Sequence, residues 1–160
     1  MVLWFASLAF LLVWRVFRSP AVDYRLVVVG AVLPSVDRLV GHATPMHTLL
    51  LPVVVLAVVM LVARGRRLAQ RQWLGLAIGL FAHLVFDATW ADTDLFWWPL
   101  SGADLTATEI PEAGWPLALE VGMELVGLVV LVGLWLRLGL TDRTNRERFA
   151  RTGHLARELA

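Results

Sequence analysis

Residues 73–90 read WLGLAIGLFAHLVFDATW. The run is apolar, is bracketed by Trp73 and Trp90, and carries His83 and Asp87 in its second half. Tryptophan favours the headgroup level of a bilayer, so the bracketing predicts a membrane-crossing helix. His83 and Asp87 stand at i and i+4, and on a helix both point the same way. An ordinary anchor needs neither group, because ionisable side chains at membrane depth are expensive and usually functional.

The rest of the chain extends this reading. It is 59% hydrophobic and 17% charged, against roughly 45–50% and 25% in soluble domains. The apolar excess lies in blocks, at residues 2–17, 22–36, 48–63, 73–90 and 115–136. A span needs roughly 20 residues, so the second block crosses only as a short span, with residues 19–37 included, and a re-entrant or tilted helix is the alternative. The expected fold is all-α: a polytopic integral membrane helix bundle of about five transmembrane helices. Residues 1–140 form the transmembrane domain and 141–160 a short basic tail.

Arginine sets the expected orientation, and lysine is absent. Arg15, Arg18 and Arg25 cluster about the junction of the first two blocks, and Arg64, Arg66, Arg67 and Arg71 lie between the third and fourth. Arg137, Arg143, Arg146, Arg148, Arg151 and Arg157 follow the fifth, while the opposite links hold only Arg38. The excess of positive charge on the cytoplasmic side predicts a multi-pass protein of the plasma (inner) membrane. Its N-terminus would lie outside and its C-terminus in the cytoplasm. The tail suits anionic lipid headgroups and is too short for specific nucleic-acid recognition, so no nucleic-acid partner is expected.

That topology gathers the polar residues at one face. Asp37, His42 and His47 fall in an outer link, His83 and Asp87 in the outer half of the fourth block, and Glu120 and Glu124, again i and i+4, in that of the fifth. Cysteine is absent, so any metal is held by nitrogen and oxygen. Imidazole with carboxylate suits a divalent ion, zinc first, with manganese or iron as alternatives. His47, His83 and Asp87 are the predicted ligands. Asp37 and His42 complete the shell, support it from behind or join a second metal. Glu120 or Glu124 is the predicted general base or a further ligand, and Asp37 belongs to both the metal and the catalytic sets. The plain alternatives are an interhelical His83–Asp87 pair and protonated glutamates satisfying their neighbours.

At these residues the chain resembles the small inner-membrane, metal-dependent hydrolases of the YdjM type, related to the LexA-regulated membrane protein. Their pattern is a proline-aspartate-x-aspartate element, then histidine-arginine-glycine-x-threonine-histidine-serine, then histidine-x-x-x-aspartate, with a later proline. Here the first element is Leu33-Pro34-Ser35-Val36-Asp37, with Ser35 in place of the first aspartate. The second is His42-Ala43-Thr44-Pro45-Met46-His47-Thr48, which keeps both histidines and lacks the arginine and glycine. His83-Leu84-Val85-Phe86-Asp87 matches the third, and Trp98-Pro99 resembles the later proline region. The resemblance covers residues 30–99 and implies an outer-face metal site.

The function expected from all this is a membrane-embedded metal-dependent hydrolase. It would act on a lipid or lipid-linked ester or phosphoester through metal-activated water. Two other readings stay open. One is a structural or regulatory membrane subunit with a bound metal. The other is a metal or proton transport protein, which would need a homo-oligomer to form a pore.

Overall fold

A computed structural model of the chain describes residues 1–102 and 104–155, apart from the side chain of Glu112. Arg157 of the predicted basic tail lies outside the described residues. The helices are α1 (Val2–Phe17), α2 (Tyr24–Val32), α3 (Asp37–Val40), α4 (Leu50–Val62), α5 (Arg67–Phe86), α6 (Thr93–Phe96), α7 (Leu117–Arg137) and α8 (Arg143–Thr152). Short 3-10 turns at Leu33–Val36, Pro45–His47 and Thr89–Ala91 join them around one end of α5.

The all-α expectation holds, but five transmembrane helices do not. Among the described residues only α7 is long and apolar enough to cross a membrane, with a mean hydropathy of 2.2 over its best window. At 1.5 Å per residue, α1 and α4 reach only about 24 and 20 Å of a hydrocarbon core about 30 Å thick. The 22–36 block breaks after Val32, where Pro34 can offer no N–H to a helical ladder and a 3-10 turn follows. Helix α5 has the length, but its first turns carry Arg67, Gln70, Arg71 and Gln72. The multi-pass plasma-membrane placement, with its outside N-terminus and cytoplasmic C-terminus, falls with the five spans. Apolar composition alone did not fix where each helix stops.

The tightest crossing joins α2 to α5. A Cβ on Gly79 would collide with the Val27 carbonyl and the Ala31 nitrogen, and one on Gly30 with the Leu76 carbonyl. The two backbones therefore meet where neither has a side chain. Helix α1 packs over this pair and against α7, burying Phe5, Ala9, Phe10 and Val13 with Tyr24, Val27 and Leu134. Helix α8 folds back onto the start of α2: the Tyr24 N–H donates to the Gly153 carbonyl at 2.9 Å, and Arg25 Nη1 donates to the Ala150 carbonyl at 2.8 Å. Large parts of α4 and α7 remain exposed and apolar, including Val54, Val58, Leu61, Leu125, Val129 and Val132.

Candidate metal centre

The α2–α5 crossing fixes one wall of the site. Gly75, Gly79 and His83 recur every four residues on one face of α5, and Asp87 caps that helix. With Gly79 against Val27 and Ala31, the next turn carries His83 to the end of α2. There Ala31 belongs to the last turn, whose carbonyls lack helical partners. The His83 Nδ1–H donates to the Ala31 carbonyl at 2.7 Å. The Phe5 ring covers the imidazole, with centroids 4.0 Å apart.

The opposite wall is the 37–47 segment. Thr44 caps the Pro45–His47 turn, its Oγ1 accepting from the Met46 N–H at 3.2 Å, and Pro45 starts that turn, where its missing N–H costs nothing. Thr44 also donates to Asp37, through its N–H at 2.9 Å and its Oγ1 at 2.8 Å. The clamped Asp37 in turn accepts from the His47 Nδ1–H at 2.9 Å. From the far side, the Asp87 Oδ1 accepts from both the N–H (2.8 Å) and the Oγ1 of Thr89.

Three ligand atoms are left facing one another. His47 Nε2 and His83 Nε2 are 3.4 Å apart. Asp87 Oδ2 lies 3.5 Å from the first and 3.4 Å from the second. His47, His83 and Asp87 are each 0% exposed. Because each Nδ1–H is given to an outward acceptor, the neutral tautomer of each ring carries its lone pair on Nε2, aimed inward. Two lone pairs and a carboxylate oxygen converging in a buried space form a group able to coordinate a divalent ion.

Electrostatics agree with ligation by neutral imidazole. Burial pushes His83 down to about 3, since desolvation disfavours the imidazolium. Burial opposes ionisation of Asp37, but hydrogen bonds from His47 and Thr44 outweigh it and hold the carboxyl below its usual range.

The structure distributes the other predicted site residues differently. Asp37 stands behind His47, on the Nδ1 side. His42 is half-buried, with Nδ1 3.0 Å from the Ala43 carbonyl. Glu120 pairs with Arg38, and Glu124 accepts from the Leu3 N–H at 2.9 Å. Among the described residues, neither glutamate nor His42 joins the group formed by His47, His83 and Asp87. Nothing in the sequence assigned Ala31, Thr44, Thr89 or Phe5 a role in the site, Thr44 standing out only as a departure from the resembled motif. Gly75 and Gly79 could have been, since small residues four apart mark close helix approach.

No family model, curated protein or solved structure matches the chain.

Proposed function

We propose that the chain is a metal-dependent hydrolase. His47, His83 and Asp87 would hold one divalent ion, zinc first. The substrate would be an ester or phosphoester bearing an apolar, lipid-like group. The observation that carries this reading is the triangle of Nε2, Nε2 and Oδ2 atoms with edges of 3.4, 3.4 and 3.5 Å. Ligands about 2.0–2.1 Å from a tetrahedral ion stand about 3.3–3.4 Å apart, whereas adjacent ligands of an octahedral ion at that bond length stand about 2.8–3.0 Å apart. Two histidines and one carboxylate are also a catalytic donor set, since structural zinc usually takes four protein ligands. When bound, such an ion supplies Lewis acidity and makes water a better nucleophile near neutral pH.

The chain's own residues supply orientation. Asp37 and the Ala31 carbonyl fix the two tautomers, and Phe5 keeps water off the His83 ring. The apolar substrate class is taken from a cavity of about 270 Å³ on the α1–α7 seam, lined by Leu3, Leu117, Val121, Leu125 and Leu128 with Glu120 and Glu124, which shares no residue with the His47–His83–Asp87 group. Helix α1, which lends Leu3 to that cavity, also lends Phe5 to His83. The resemblance to the YdjM-type hydrolases leads to the same class.

Complete burial of the three ligands favours a second reading, in which the ion fixes the fold of a structural or regulatory subunit. One experiment separates the two. The purified chain is expected to retain about one divalent ion, and His47→Ala, His83→Ala and Asp87→Ala each to lose most of it. Unchanged metal content in all three variants would exclude the site. Chelator-sensitive cleavage of nitrophenyl acyl esters or phosphodiesters, lost in His83→Ala and restored by zinc in the wild type, supports the hydrolase. Retention of the ion without turnover selects the structural role.

A further inference from the structure

We infer that Thr89 is a positioning residue that sets which metals the site accepts. The inference rests on the metal reading above. Thr89 is fully buried and follows the α5 cap by two residues. Ala88 between them adopts the left-handed conformation, φ 61° and ψ 24°, which turns the chain back over Asp87. Both the N–H and the hydroxyl of Thr89 are thereby spent on one carboxylate oxygen, Asp87 Oδ1. The other oxygen, Oδ2, is the one within 3.4–3.5 Å of both imidazole nitrogens.

A carboxylate so anchored presents one oxygen to an ion and withholds the second. Three single-atom donors with edges near 3.4 Å suit a tetrahedral ion with one remaining position. A carboxylate free to rotate could offer both oxygens, raise the coordination number and admit ions that prefer six oxygen-rich positions. The hydroxyl of Thr89 therefore discriminates zinc and cobalt from manganese and magnesium by restraining Asp87, without touching the ion.

The test uses cobalt(II), whose visible absorption is intense in tetrahedral and weak in octahedral sites, together with competitive zinc and manganese titrations of the full chain. Wild type and Thr89→Ser are expected to give the intense tetrahedral spectrum. Thr89→Val keeps the backbone N–H and loses only the hydroxyl. It is expected to give a weakened, shifted spectrum, with zinc affinity down about 10-fold or more, as for other groups that orient ligands. Manganese affinity should hold or rise, so the zinc-to-manganese preference narrows. Thr89→Ala is read the same way should the valine variant fail to fold. An unchanged spectrum and unchanged metal preference in the hydroxyl-free variants would overturn the role of Thr89 while leaving the metal site standing. An octahedral cobalt spectrum in the wild type would overturn it too. A wild type that binds none of these ions would overturn both readings.

Discussion

His47 Nε2 and His83 Nε2 face each other across 3.4 Å, while the Nδ1 of each ring is committed outward, to Asp37 and to the Ala31 carbonyl. Neither ring can turn its other nitrogen inward without breaking a buried hydrogen bond, which costs about 1–3 kcal/mol. The inward pair is thus fixed by its surroundings rather than by mutual attraction, as expected of ligands prepared for a cation.

Asp37→Asn is expected to weaken metal binding about 10- to 100-fold. Asparagine retains the size of Asp37 but removes the negative charge that accepts the His47 Nδ1–H and holds the ring in place. It also places an N–H₂ where the carboxylate receives either His47 or Thr44. Thr44→Val should act in the same direction and less strongly, because one Asp37 contact survives through the backbone N–H. Competition against a chelator of known affinity measures both. Equal affinity in wild type and Asp37→Asn would remove Asp37 from the site's support.

Gly79→Ala is expected to cost about 1–3 kcal/mol, at the upper end because the new methyl meets backbone rather than a flexible side chain. For a chain of this size that lowers Tm by about 5–10 °C. Forcing α5 away from α2 also lengthens the His83–Ala31 bond, so metal affinity should fall together with stability. Gly122→Ala on α7, where nothing lies within 4 Å of the added methyl, serves as the control and should be neutral or slightly stabilising.

These contrasts explain what was legible in the sequence. His83 and Asp87 could be paired from spacing alone, because four residues make about one helical turn. His47 was joined to them through the expected outer-face topology, which the structure overturns, and through the histidine motif of the resemblance. Helix length could not be read from apolarity: the 22–48 region breaks near Pro34 and again at Pro45 into short helices and 3-10 turns, and an apolar run does not by itself mark such a break. Of the groups that hold the ligands from outside, Asp37 was legible, while Ala31, Thr44 and Thr89 were hidden, for two different reasons. Ala31 acts through its carbonyl, which every residue possesses. Thr44 and Thr89 act through hydroxyls whose partners become neighbours only after the chain has turned. Glu120 and Glu124 share the spacing of the His83–Asp87 pair, yet α7 directs them to Arg38 and to the start of α1.

That last contrast makes Glu120→Gln and Glu124→Gln informative. Both are expected to leave metal content within about twofold of wild type, since neither carboxylate shares the ligand group and exposed or half-exposed ion pairs contribute only about 0–1 kcal/mol. Elemental analysis after exhaustive dialysis checks this. A glutamine variant that loses its metal would place that glutamate in the coordination shell.

The acid limb of stability should be governed in part by Asp23, at the opposite end of α2 from the candidate metal centre. Burial opposes ionisation of this carboxyl, but the side-chain and backbone hydrogen bonds and the charge of Arg25 outweigh it, so its pKa is lowered in the folded chain. The carboxylate also caps α2, accepting from the Arg25 N–H at 3.0 Å, and Arg25 reaches on to the Ala150 carbonyl of α8. A carboxyl depressed by folding binds protons more readily when unfolded. Its contribution is therefore fully present above the unfolded pKa of about 3.9 and is lost as pH falls through the lower folded value. Asp23→Asn should lower stability at pH 7 and flatten its decline below about pH 4 relative to wild type. Denaturant midpoints measured at several pH values on the metal-free chain test this, and parallel acid limbs in wild type and variant would rule Asp23 out as a contributor.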